Sequence, residues 1–190
     1  MLNPSYLREK AKAKLNLNFK IIKKLKNNFH EIDSLVTFLP DLYDILYVKK
    51  SIKNRIKIIG PQAKYLVRNG GDTLVNKSIE TISELLKFKI NVDVLIEKNI
   101  PINAGLGGGS ADAAAIIRTI IKLYKPKKKE IIKILPEIGS DVPVCFFSQN
   151  SHVSGIGEII KPLKLLEKKL WVLLLKPETN YSTENIFHLF

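Results

Sequence analysis

The residues best suited to chemistry in this 190-residue sequence are the run Gly105-Leu106-Gly107-Gly108-Gly109-Ser110-Ala111. Four glycines without Cβ atoms can take positive φ and press closely on a ligand. Such a backbone turns successive N–H groups toward one point, and a helix expected to start at Ser110 adds its free N–H donors and positive dipole end. The product is an anion site suited to nucleotide phosphates. Ser110 is placed to cap that helix, to bind a phosphate oxygen, or to approach a metal ion. No Gly-Lys-Ser/Thr ending is present, which sets a Walker loop aside. The dinucleotide pattern fails because position 110 is Ser where it needs Gly.

Two charged residues and a histidine are the candidates to work beside this loop. Transfer of a phosphoryl group to a hydroxyl needs a carboxylate to take or orient the proton, a cation to offset developing charge, and a clamp on the phosphates. Asp141, between Gly139-Ser140 and Val142-Pro143, offers the carboxylate, and Lys14 offers the cation. Each also has a plain structural reading: Asp141 as a turn or cap residue, Lys14 as a solvated lysine in a lysine-rich chain. His30 follows Phe29, and the pair reads either as packing side chains or as a ring and an imidazole that hold a planar substrate group. The three histidines, His30, His152 and His188, lack metal-ligand spacing, so no transition-metal site is expected.

The elements that must position these groups follow from periodicity. Residues 11–22 alternate, with Ala11, Ala13, Leu15, Leu17, Phe19 and Ile21 on one face and Lys12, Lys14, Asn16, Asn18 and Lys20 on the other, which predicts a half-buried strand. Apolar stretches near 34–39, 44–48 and 55–59 predict several short strands with turns between them. Asn69-Gly70-Gly71-Asp72 is a turn signal, with Asp72 or Thr73 capping a helix to about Lys87. Residues 90–96 alternate again as a strand that feeds the glycine loop, and a helix from Ser110 to about Tyr124 follows. A basic helical segment at 127–134 leads into Pro136. Short strands are expected around 144–147 and 152–160, a strong apolar strand at Leu170–Leu175, and the beginning of a helix from Ser182 to Phe190.

The bulk composition excludes several classes. At 45% hydrophobic residues the chain can build a core. Its single cysteine, Cys145, rules out an intrachain disulfide and a thiolate metal cage, as suits a reducing compartment. No run of about 18 apolar residues occurs, so a membrane-spanning helix is excluded, and no secretory signal opens the sequence, so the cytoplasm is expected. The net charge of +13 comes almost entirely from dispersed lysine, with arginine only at 8, 55, 68 and 118. Without a nucleic-acid signature motif, that charge is read as composition bias rather than a binding surface.

Taken together, the segments resemble the GHMP kinase superfamily, whose loop has the form P-x-x-x-G-L-G-S/G-S/G-S/A-A. Five pieces agree in order: Ala13-Lys14-Leu15-Asn16-Leu17, Phe29-His30-Glu31, Pro101 through GLGGGSADAA, Gly139-Ser140-Asp141-Val142-Pro143-Val144, and Gly155-Ile156-Gly157-Glu158. A weaker sixth is Lys176-Pro177 with Tyr181-Ser182-Thr183 and Phe187. The glycine loop alone matches the superfamily, whereas Gly139–Val144 with Gly155–Glu158 and Ala13–Leu17 match the branch acting on a CDP-linked sugar alcohol of non-mevalonate isoprenoid biosynthesis.

The resemblance implies an α+β fold of the ribosomal protein S5 domain 2-like type. It implies an N-terminal ATP-binding domain over residues 1–165 and only the start of a C-terminal domain over 166–190. It further implies ATP and Mg2+ as cofactors, and phosphorylation of the 2-hydroxyl of a CDP-linked methylerythritol. Asp141 would be the base, assisted by Lys14. ATP would lie on Pro101, Ile102, Asn103, Ala104, Gly105, Leu106, Gly107, Gly108, Gly109, Ser110 and Ala111. Cytosine would meet Phe29 and His30, with Asn16 near the substrate.

Three departures qualify the match. Asn28-Phe29-His30 stands where Gly-Tyr-His is usual. Asn103-Ala104 replaces glycines and should stiffen the loop entrance. The sequence ends at Phe190, where the second domain should begin. An inactive remnant and a basic RNA-associated domain are therefore the competing readings. Self-association, or completion by a separately encoded C-terminal domain, is expected if the Leu170–Leu175 strand is left uncovered.

Overall fold

The computed structural model describes residues 5–25, 30–68, 72–164 and 170–175. Strand β1 (Leu7–Lys24) and strand β2 (His30–Lys50) pair antiparallel along their lengths. Strand β3 (Arg55–Ile59) leads through helix α1 (Ala63–Arg68) and helix α2 (Thr73–Leu86) to strand β4 (Val92–Glu97). Helix α3 (Gly108–Tyr124), helix α4 (Lys128–Ile138) and helix α5 (Val142–Phe147) follow. Strands β5 (Ser151–Gly155) and β6 (Ile159–Pro162) form a closing hairpin.

The sheet runs β3-β4-β2-β5-β6, with β1 on the other side of β2. β2 is thus the central strand: β1 takes one edge, and β4 and β5 share the other, at residues 45–50 and 32–36 respectively. Only β3 and β4 are parallel, as their helical connection allows. The arrangement is α+β, as expected from the sequence.

The helices cover one face of the sheet. Leu46, Val48, Val92, Val94 and Ile96 share a core with Val75, Ile79 and Ile82 of α2 and Ile116, Ile117 and Ile120 of α3. Ala111, Ala113, Ala114 and Ala115 are buried and let the first turns of α3 lie close to the sheet. α2 starts where its cap predicts, with the Asp72 carboxylate accepting from the Val75 N–H at 3.1 Å. Among the described residues no helix is long and apolar enough to cross a membrane.

Several expectations are corrected. The stretches near 34–39 and 44–48 belong to one 21-residue strand rather than to short strands with turns. Lys12 lies opposite Tyr43 while Lys14 lies opposite Phe38, so residues 39–42 are looped out of the ladder. Pro40 sits there, where its missing N–H costs no ladder bond. Two further shifts, between Asn16 and Asn18 and between Ile21 and Lys23, reverse the faces of β1. Lys14 is therefore buried, while Leu17 and Phe19 are exposed.

Residues 144–147 belong to a helix, since a short apolar run does not by itself separate strand from buried helix. α4 continues through Pro136 to Ile138, and α3 begins at Gly108 rather than Ser110. Leu170–Leu175 carries no strand and pairs with nothing among the described residues, leaving Trp171, Leu173 and Leu175 more than four-fifths exposed. The expected helix from Ser182, the turn residues 69–71, and the pieces at 176–187 lie outside the described residues.

Candidate active site

The glycine loop joins the end of β4 to α3. Asn103, Gly105 and Gly107 take φ of 55°, 69° and 63°. Asn103 thus adopts the left-handed conformation that Asn tolerates better than most residues, so losing the family's glycine leaves the turn intact. Pro101, Ile102 and Ala104 are partly buried around it. Leu106 is buried with Ala13 and Ile100 and pins the loop to the sheet. Its carbonyl accepts the Lys14 N–H at 2.8 Å, which fastens the loop to β1.

Gly107 is the N-cap of α3 and offers no side chain to its N–H groups. The Ala111 N–H bonds to the Gly107 carbonyl at 2.8 Å, so the helix ladder begins there. Gly108, Gly109 and Ser110 form the first turn, whose N–H groups have no partner within the helix. A Cβ at Gly105 would meet nothing within 4 Å, so the loop's outer side is open. Ser110 does not cap the helix; it sits within the first turn, partly exposed beside those donors. These features fit a bound polyphosphate.

Lys14 is 6% exposed, and its Nζ lies 3.2 Å from the Asp141 carboxylate and 2.7 Å from the Asn16 carbonyl oxygen. The Asn16 amide donates to the Ser34 hydroxyl at 2.6 Å, and that hydroxyl donates to the Asn18 carbonyl at 2.6 Å. The first bulge in β1 turns Lys14 inward, which resolves the alternative of a solvated lysine. Asp141 keeps its side chain 42% exposed at the start of α5 and makes no cap bond to the helix, which answers the cap reading. One oxygen faces the ammonium while the carboxylate stays open to solvent.

The β5–β6 turn braces this segment. Gly157 has φ 111°, and a Cβ there would lie 2.9 Å from the Ser140 carbonyl, so the turn rests on the residue before Asp141. The Glu158 carboxylate accepts the Ile156 N–H at 2.6 Å and holds the turn closed. His30 begins β2, opposite Lys24, at the far end of the strand from Asp44. Phe29 lies outside the described residues. Among those described, no group of three or more His, Cys, Asp or Glu side chains is arranged to hold a metal.

Sequence reading missed one part of the site. Lys98, Asp44 and Asp112 form a buried ion cluster directly under the loop. The available signal was a lysine closing an apolar strand and an aspartate set among alanines on the most buried helix, both flanking the glycines.

This construction, an open phosphate loop running into a helix beside a buried lysine and a half-open aspartate, defines a class of small-molecule kinase. A family model for the GHMP kinases N terminal domain matches residues 73–149, and over this segment the chain is similar to the GHMP kinases. Among those kinases it is similar to the 4-diphosphocytidyl-2-C-methyl-D-erythritol kinases. It is 35% identical over 181 residues to the Macrococcus caseolyticus protein of that name, covering 94% of this chain and 62% of that protein. A crystal structure of 4-(cytidine 5'-diphospho)-2C-methyl-D-erythritol kinase superposes with a TM-score of 0.66 at 29% identity, covering 84% of this chain and 56% of that one. Homoserine kinase from Cytophaga hutchinsonii, at 18% identity and TM-score 0.61, shares the fold. The chain thus spans just over three fifths of the length of the curated relative.

Proposed function

We propose that this chain transfers the γ-phosphoryl group of ATP to the 2-hydroxyl of 4-diphosphocytidyl-2-C-methyl-D-erythritol. The observation that carries this reading is the 3.2 Å pairing of Lys14 with Asp141 beside the loop that Lys14 itself fastens. Names and substrates of the relatives at 29–35% identity support it.

Phosphoryl transfer asks mainly for positioning and charge stabilisation. The free N–H groups of Gly108, Gly109 and Ser110, with the turn at 103–107, hold the phosphates. Asp141, open on one side, accepts the substrate hydroxyl proton. Lys14 orients that carboxylate and offsets the negative charge that grows on the transferring group, and burial strengthens the interaction. Asn16 also holds the Lys14 ammonium, through its side-chain oxygen at 2.7 Å. Phe29 and His30 are assigned to the cytosine ring, and Asn16 is assigned to the neighbourhood of the substrate. Ser110 is the loop side chain that would approach a Mg2+ ion held with the phosphates, and the ion would supply charge neutralisation there. Residues 1–165 are assigned to the N-terminal ATP-binding domain and 166–190 to the start of a C-terminal domain.

The test is turnover by the purified chain. ATP consumption should require the cytidylyl substrate, and Asp141→Asn should lower kcat about 10²–10⁴-fold. A wild-type chain with no turnover at high protein concentration, or an Asp141→Asn variant of unchanged kcat, rejects the reading.

A further inference from the structure

Beneath the glycine loop lies buried charge that none of the roles above uses. The Lys98 Nζ donates to the Asp44 carboxylate at 2.6 Å and to the Asp112 carboxylate, with all three residues at most 2% exposed. The other Asp44 oxygen accepts the N–H groups of Asn99 at 2.5 Å and Ile100 at 2.8 Å. Asp44 stands on the central strand, Lys98 ends the run from β4, and Asp112 lies in the second turn of α3. The loop's entrance and exit are thus tied to the same ammonium. A Cβ at Gly108, the first residue of α3, would lie 3.5 Å from the Lys98 Nζ and 3.2 Å from Ile100, so the lock fills the space directly under that turn.

Charge counting assigns the protonation. One cation faces two carboxylates in a site closed to water, where an uncompensated charge is expensive. Asp44 accepts from Lys98 and from two backbone donors, so it is the anion. Among the described residues Asp112 accepts only from Lys98, and its other oxygen is buried without a partner there. The groups facing it are Lys98, Asp44, Asp72 at the cap of α2, and the Cys145 thiol of α5. Burial pushes its carboxyl well above the ordinary carboxylate range; Lys98 opposes this, while Asp44 and Asp72 add to it. For Lys98, burial favours the neutral amine, but Asp112 and Asp44 outweigh it and keep the ammonium charged.

We propose that Asp44, Lys98 and Asp112 are positioning residues for the nucleotide phosphates, forming a buried lock that holds both ends of the glycine loop while a proton on Asp112 keeps the floor beneath the phosphates neutral. An ionised Asp112 would set a negative charge in the second turn of the helix whose positive end must receive an anion. The proposal rests on the reading of this loop as a nucleotide site.

The experiment combines amide hydrogen exchange without nucleotide and calorimetric binding of MgATP on the full chain and its variants. Lys98→Met should speed exchange at amides 99–107 tenfold or more, leave those of β4 and α2 at wild-type rates, and weaken MgATP about tenfold. Asp44→Asn keeps the side-chain volume and should show the same loop-local change to a smaller degree, which serves if Lys98→Met does not fold. Asp112→Asn mimics the protonated acid and should stay within threefold of wild type in both readouts. Unchanged loop exchange in Lys98→Met and Asp44→Asn overturns the lock. Asp112→Asn as damaging as Lys98→Met overturns the neutral floor. A wild-type chain that binds no MgATP removes the nucleotide reading and with it the phosphate-positioning role, whatever the exchange data say about the loop.

Discussion

Replacing Gly107 by alanine tests whether the glycine loop and Lys14 act as one unit. The residue has φ 63° and ψ 26°, a left-handed conformation. An L side chain there costs about 1–2 kcal/mol, and the lower entropy of the unfolded chain returns roughly 0.4–1 kcal/mol. The net backbone cost is then about 1 kcal/mol, or a Tm decrease of about 2–4 °C for a chain of this size. The added Cβ would also lie 3.2 Å from the Lys14 Cε and 3.4 Å from its Cβ.

Ordinary carbon contacts begin near 3.5 Å, so the lysine stem must move by a few tenths of an ångström. That movement displaces the Nζ from its 2.7 Å bond to Asn16 and its 3.2 Å approach to Asp141. Since a misplacement of about 1 Å can cost a hundredfold in rate, a shift this size should lower kcat about tenfold. Gly105→Ala is the control, because φ is 69° there but nothing lies within 4 Å of the added Cβ. It should match the loss in Tm and raise the KM for ATP with kcat nearly unchanged. Melting curves and steady-state kinetics on both variants decide the matter. Equal kcat for Gly105→Ala and Gly107→Ala would refute the coupling of loop to lysine.

Two further changes address the frame of the site. Gly157→Ala must find room 2.9 Å from the Ser140 carbonyl at φ 111°, so it should cost about 1–3 kcal/mol in stability and lower kcat while MgATP affinity by calorimetry stays at the wild-type value. Glu9 accepts from Arg118 at 2.7 Å and from Lys122 at 2.6 Å. Burial pushes its carboxyl up, but these two partners outweigh it and hold the pKa below the ordinary 4.5. Because the folded-state pKa is depressed, this stabilisation is present above the unfolded value and is lost as pH falls through the folded one. Glu9→Gln should therefore cost about 1–2 kcal/mol near neutral pH, screened in part by the exposure of Lys122, and the deficit should shrink in acid. Denaturant titrations at several pH values check this; a deficit independent of pH would count against the pairing.

The residues show what the sequence could and could not reveal. The Asp72 cap and the alternation through Val92, Val94 and Ile96 were legible because each depends on near neighbours in the chain. The faces of β1 were not, because bulges set against β2 decide them, and a one-residue slip moves a whole side-chain set across the sheet. Lys14 is the instructive case: its role was proposed from its type, while its burial depends on a bulge that no local pattern records. Residues 144–147 of α5 read as a strand because the run is apolar without periodicity, and its packing on α3 goes with the helix. The Asp44–Lys98–Asp112 cluster escaped notice because its members come from three elements that meet only in the folded sheet.

The central position of β2 also bears on the order in which the site can exist. β1 and β2 follow each other in the chain and pair through a short connection, whereas β4 and β5 reach the same strand from far downstream. Shorter loops close at lower entropic cost, so the hairpin bearing Lys14 is the pairing available first. Asp141 arrives only with α5, after the glycine loop and α3. A chain still emerging from the ribosome can hold Lys14 and the loop while having no carboxylate to set beside them. The contact between Lys14 and Asp141 is then among the later ones to form.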